Sequence, residues 1–257
     1  MTSDNSHQRP GAVALVGSGE YLDAMNETDA YLLHTIGGAS TAKVALLPTA
    51  SGLEPNGPTN WNNLGLRHFK NLGVNDIRAT RIIDRASAFD QEQVALLQGA
   101  NFYYFSGGNP QHTIETLRDS PAWETIKPAY DQGAVLAGCS AGAMMLSART
   151  ISIRQVMMGQ PVVFVEAMAV VPNVIVFPHF DRMSGFLNAE RFHALMQSVS
   201  ELYTVVGVDE DTALVRIEPN KTSDRMARWR VMGRQTVSLF GRDGKPQILH
   251  SGEEVTL

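Results

Sequence analysis

Residues 134–146, AVLAGCSAGAMML, hold the densest chemistry of the chain. A short apolar run enters Gly138-Cys139-Ser140-Ala141-Gly142 and leaves into a helix-forming stretch. This is a G-x-S-x-G nucleophile elbow in its strand–turn–helix setting. Small flanking residues let the chain turn sharply, and the turn lifts the serine oxygen above the carboxyl end of a sheet. The N–H groups opening the next helix then face any oxyanion that forms there. Cys139 is the other nucleophile to weigh. The glycines are centred on Ser140, whereas a cysteine-centred elbow wants them at 137 and 141, where alanines stand. Cys139 is therefore expected to be a small buried residue.

A serine hydroxyl needs a base. Of seven histidines, His7 lies near the start, and His34, His68, His112 and His193 fall in helical patterns. His250 is near the C-terminus. His179 differs, because VIVFPHFDR (174–182) reads as a strand ending at proline, which puts the histidine at a strand's carboxyl end. That edge is where ligands bind in open α/β sheets. The base in turn needs an orienting acid. VVGVDEDTALV (205–215) supplies Asp209, Glu210 and Asp211 just past another apolar strand, and spacing does not choose among them.

Two glycine turns complete the candidate site. FYYFSGGNPQ (102–111) ends a strand in Gly107-Gly108, then caps a helix with Asn109. Backbone N–H groups of Gly108 or Asn109, together with that of Ala141, form the expected oxyanion hole. Gly17-Ser18-Gly19-Glu20 follows the first strand; Leu22 breaks the dinucleotide-binding spacing, so no such cofactor is expected there.

The elements that position these groups can be read from the pattern. Apolar runs at 12–19, 43–51, 76–83, 101–109 and 134–138 alternate with helical stretches near 27–36, 60–72, 90–98, 110–118 and 121–132. Near-continuous apolar strands alternating with helices predict an α/β fold: three layers, with a mostly parallel sheet covered on both faces. Asp90 with Gln93 resembles a capping box, and Asn109-Pro110 and Ser120-Pro121 mark helix starts. Helical spacing of Phe192, Leu195, Met196 and Val199 predicts a helix over 186–200. The strands then predicted at 204–208, 213–217, 227–232, 236–240 and 247–250, with Asp243-Gly244 as a hairpin turn, indicate an antiparallel C-terminal part. The expected organisation is a tail at 1–10 and one α/β domain over 11–257, with 220–257 as a β extension.

The chain has 257 residues, 44% hydrophobic and 18% charged, with a formal net charge of −5. Such composition excludes low-complexity and collagen-like classes, and the acidic balance argues against general nucleic-acid binding. One cysteine permits no internal disulfide and no cysteine zinc cluster. No apolar run approaches the ~18 residues of a membrane span, and the first ten residues lack a signal peptide's apolar centre. A cytoplasmic protein with neither metal nor organic cofactor is expected.

Taken in order, the glycine turn after the first strand, FSGGN, GCSAGA, PHF and GVDEDTA resemble the family of serine exopeptidases that includes dipeptidase E and cyanophycinase. The resemblance runs from about residue 12 to about residue 217. It implies a fold similar to class I glutamine amidotransferases and a triad of Ser140, His179 and Glu210; the family order is what selects Glu210 over its neighbours. It also implies a small peptide substrate and a homodimer. Phe177-Pro178 precede His179 where cyanophycinases have Asp-Gln, and Asn109-Pro110 displace Gln111 from its expected place. The proline is more similar to dipeptidase E. Gln111, Arg182 and Arg191 are the substrate-binding candidates, since a guanidinium can pair a carboxylate in a fork. Dipeptidase-like cleavage, or cyanophycinase-like cleavage of β-aspartyl peptides, is the expected activity. The alternatives are an inactive binding protein of the same fold and an amidase related to glutamine amidotransferases.

Overall fold

The computed structural model describes residues 9–152, 158, 160, 163–185, 189–200, 202–218, 227–241 and 245–257. The eight-stranded sheet begins with β1 (Val13–Val16), β2 (Lys43–Leu47), β3 (Asp76–Ala79), β4 (Phe102–Phe105) and β5 (Val135–Cys139). These five run parallel in the order β1-β5-β4-β2-β3. Between them lie α1 (Asn26–Thr35), α2 (Gly57–Asn71), α3 (Gln91–Leu97), α4 (Pro110–Leu117) and α5 (Pro121–Asp131). Side chains alternate along a strand. In β1, Val13 and Leu15 join a core containing Leu97, Ile114, Leu117 and Ile126 from α3, α4 and α5. Ala14 and Val16 join an opposite core with Leu32, Leu33 and Phe69 from α1 and α2. The predicted three-layer α/β arrangement is therefore present.

Beyond β5 come α6 (Ala141–Leu146), β6 (Arg149–Ile151), β7 (Phe164–Glu166), β8 (Val174–Pro178), α7 (Ala189–Ser198) and β9 (Thr204–Val208). The chain ends with β10 (Thr212–Glu218), β11 (Arg228–Gly233), β12 (Thr236–Phe240), β13 (Pro246–His250) and β14 (Glu254–Thr256). The C-terminal strands are antiparallel as expected, but they divide between two sheets. β10 pairs with β1 and carries β11 and β14 outward, extending the main sheet. β12 and β13 instead add to β9 and β8 in a separate four-stranded sheet. One face of that second sheet buries Val174, Val176 and Val206 in the core beneath α3–α5. Its other face packs Ile175, Phe177 and Val205 against Leu195 of α7.

Asn109 and Ser120 cap α4 and α5 as predicted, accepting from the N–H groups of His112 and Trp123. Only half of the proposed capping box forms. Asp90 accepts from Glu92 N–H, but the Gln93 side chain accepts from Arg81 N–H instead of reaching back to Asp90. Residues 1–8, 186–188 and the Asp243-Gly244 turn lie outside the described residues. Among the described residues, no helix is long and apolar enough to cross a membrane.

Candidate active site

Strand register brings the glycine turns together. Val16 of β1 is level with Cys139 of β5, and Phe105 of β4 is level with Gly138. The segments 17–20, 106–109 and 140–142 therefore leave the sheet side by side at its carboxyl edge. Ser140 has φ 50° and ψ −110°, a region that few non-glycine residues occupy. The surrounding contacts impose that conformation. A Cβ at Gly138 would lie 2.5 Å from the Gly142 carbonyl, and one at Gly142 would lie 2.4 Å from the Phe105 carbonyl oxygen. Both flanking positions must be glycine for the turn to sit this low on the sheet.

The second sheet delivers the partners. β8 and β9 are parallel, with Pro178 level with Val208, so the residues following each strand are neighbours. Those residues include His179 and Glu210. β10 then turns back antiparallel to β1, with Ala213 level with Val16, which places the 209–211 turn beside the elbow. His179 Nδ1 lies 2.9 Å from Glu210 Oε1, and His179 Nε2 lies 3.0 Å from Ser140 Oγ. With Nδ1–H donating to the carboxylate, Nε2 is left to accept the serine proton.

The three acids have separate tasks. Asp209 is buried and accepts from the Thr236 N–H and hydroxyl at 3.1 and 2.6 Å, tying β12 to the turn. Asp211 has φ 53° and faces Arg234 at 3.7 Å. Glu210 alone meets the histidine. Its other oxygen lies 3.3 Å from an Arg182 Nη2, and its N–H donates to Asp181 Oδ1.

The glycine loop corrects one expectation. Asn109 N–H donates to Ala50 O at 2.7 Å, and its side chain caps α4. Asn109 is therefore not a free donor, and its place as an alternative oxyanion-hole residue is withdrawn. Gly107 N–H is also occupied, donating to Glu20 Oε1 at 2.8 Å. Among the described residues, the N–H groups of Gly108 and Ala141 donate to no acceptor.

Of the substrate-binding candidates, Arg182 stands at the rim, with its side chain 67% exposed and paired to Asp181 and Glu210. Gln111 lies exposed on α4 and donates to Glu115 one turn onward. Arg191 falls on α7, and its side chain lies outside the described residues. Cys139 is fully buried as expected, yet it is not merely apolar filling, because its Sγ–H donates to Glu20 Oε2 at 2.7 Å. Burial and the Glu20 charge push its thiol well above the usual range, keeping it protonated. Glu20 itself went unread in the sequence as a site residue. The available signal was an acid directly after the Gly17-Ser18-Gly19 turn of a central strand.

A serine on a strained strand-to-helix turn, facing a histidine across the carboxyl edge of an α/β sheet, defines a hydrolase class of site. Residues 13–223 match the sequence profile described as Peptidase family S51. The chain belongs to that family, which is one of serine-type peptidases. It is 26% identical over 208 residues to cyanophycinases of Synechococcus elongatus and Thermosynechococcus vestitus, an alignment covering 79% of this chain. The matched region spans 59% of the length of those relatives. A crystal structure of a peptidase from an acI-B1 Actinobacterium is similar at 31% identity and TM-score 0.81, covering 98% of each chain. A putative peptidase E protein from Listeria monocytogenes shares the fold at TM-score 0.53 and 19% identity, covering 80% of this chain and 94% of that one.

Proposed function

We propose that this chain is a serine exopeptidase that hydrolyses short peptides through an acyl-enzyme. What carries this reading is the unbroken row from Ser140 Oγ through His179 to Glu210, at 3.0 and 2.9 Å. Ser140 attacks the scissile carbonyl as His179 Nε2 takes its proton. The N–H groups of Gly108 and Ala141 receive the oxyanion. His179 then gives the proton to the leaving amine, and Glu210 stabilises the imidazolium meanwhile. Water repeats the attack on the acyl group, with His179 again as base, and releases the product. Arg182 is the substrate-side cation of this reading, favouring peptides with a carboxylate beside the cleaved bond. Gln111 is a second substrate-side candidate.

Covalent labelling by a fluorophosphonate, read by intact mass, tests the mechanism. One adduct is expected on the wild type and none on Ser140→Ala. Cleavage of Asp-Xaa dipeptides and β-aspartyl peptides, compared with uncharged dipeptides, tests the substrate class. A folded wild type that takes no label and cleaves no peptide would mean an inactive binding member of the fold.

Gly207→Ala is expected to impair this site from a distance. A Cβ there would stand 2.4 Å from the Phe180 ring, which packs against Phe192 and Phe240 and directly follows His179. Overpacking of this kind costs about 1–3 kcal/mol, or roughly 2–4 °C of Tm per kcal/mol in a chain of this size. The ring's displacement carries His179 with it, so kcat should fall while all three reacting side chains remain. Unchanged kcat in a variant of lowered Tm would show that Phe180 does not position the histidine.

A further inference from the structure

Glu20 is a carboxylate buried to 5% exposure behind the elbow. Its two oxygens accept from Gly107 N–H at 2.8 Å and from Cys139 Sγ–H at 2.7 Å. No lysine or arginine pairs with it among the described residues. Burying a carboxylate on two neutral donors is costly, and an apolar side chain would fill the space without that cost. The position it holds is central. A Cβ built at Gly107 would lie 3.1 Å from Glu20 Oε1, 3.4 Å from Ser140 Cβ and 3.9 Å from Ser140 Oγ. The carboxylate, the glycine loop and the nucleophile are thus packed one on another.

The N–H groups on either side of Gly108 are both tied. Gly107 N–H goes to Glu20, and Asn109 N–H goes to Ala50 O. Gly108 N–H stands between them with no acceptor among the described residues. We infer that Glu20 is a positioning residue: it clamps the Ser106–Gly107 peptide to the elbow through Cys139, and so aims the Gly108 N–H at the carbonyl oxygen that Ser140 attacks. This rests on the hydrolase reading above. Glu20 touches no reacting atom. It holds the peptide that precedes the donor's own from behind, while Cys139 keeps the carboxylate from turning away.

The test compares wild type, Glu20→Ala and Glu20→Gln for peptide hydrolysis, fluorophosphonate labelling rate and affinity for a peptide boronic acid, with Tm measured alongside. Misplacing a reacting group by about 1 Å costs roughly 100-fold. Glu20→Ala is expected to lose about that much in kcat and in boronate affinity, with KM little changed. Glu20→Gln keeps an acceptor for Gly107 N–H and is expected to recover most of the loss. A folded Glu20→Ala with wild-type kcat and boronate affinity overturns the inference and leaves the hydrolase reading intact. A folded wild type that neither labels nor hydrolyses any peptide overturns both. If Glu20→Ala does not fold, Cys139→Ala decides. It frees Oε2 without touching the loop and is expected to lower kcat severalfold, with Cys139→Ser restoring it. Wild-type kcat in folded Cys139→Ala overturns the clamp.

Discussion

Ser140→Ala is expected to reduce turnover of any cleaved peptide on the order of 10⁶-fold, the loss seen when a serine nucleophile is removed from an intact site. His179 and Glu210 remain, but nothing is left for them to activate. The same position carries a second expectation, about stability. At φ 50° and ψ −110° a residue with a Cβ is strained, by about 1–3 kcal/mol. Alanine inherits that strain, whereas glycine is released from it, less the roughly 0.5–1 kcal/mol that glycine loses through the entropy of the unfolded chain. Ser140→Gly should therefore be more stable than Ser140→Ala by about 1 kcal/mol, since neither has a hydroxyl. Peptide hydrolysis and paired thermal melts read both. Activity within tenfold of wild type in Ser140→Ala would sink the nucleophile assignment. Equal melting temperatures for the two variants would limit the elbow's strain to the roughly 0.5–1 kcal/mol that glycine loses.

Gly108→Ala is the other large effect. Gly108 has φ 139°, and a Cβ there would stand 2.3 Å from the Ala50 carbonyl oxygen. That carbonyl is the acceptor for Asn109 N–H, so it cannot retreat without breaking that tie. The alanine must rotate the Gly107–Gly108 peptide, and the N–H turns away from the oxyanion. Losing one such donor costs about 10²–10³-fold in kcat, and KM should change far less. Backbone strain alone is controlled by Gly99→Ala, where φ is 68° and no atom lies within 4 Å. That variant should lose about 1 kcal/mol of stability and none of its activity. If Gly108→Ala and Gly99→Ala behave alike, the Gly108 N–H has no part in the reaction.

Much of this arrangement could be read along the chain. The five parallel strands, the helices between them and the elbow follow from local rules: apolar runs of strand length, capping residues before proline, and glycines two residues either side of Ser140. His179 was legible because a proline ended its strand, placing it at a carboxyl edge. The chain's order of motifs pointed to Glu210, but only by resemblance. Its physical distinction is the 2.9 Å contact with His179 Nδ1; the pairing of β8 with β9, which levels Pro178 with Val208, brings the whole acidic turn alongside the histidine without choosing among its acids. The turn's other acids were indistinguishable in one dimension, and they separate only once Asp209 is seen bound to Thr236.

What the amino-acid sequence determined by itself was the α/β class, the strand-to-helix turn at Ser140 and the set of groups able to react. These depend on residues within a few positions of one another. The tertiary structure decided the rest. It split the C-terminal strands between two sheets, because β10 pairs with β1 while β12 pairs with β9. It took Asn109 N–H out of the expected oxyanion hole, because that group already donates to Ala50 O at 2.7 Å. It also brought Glu20 under Ser140. A contact across 87 residues of chain, such as Glu20 with Gly107, leaves no local pattern, since the register of β1, β5 and β4 creates it.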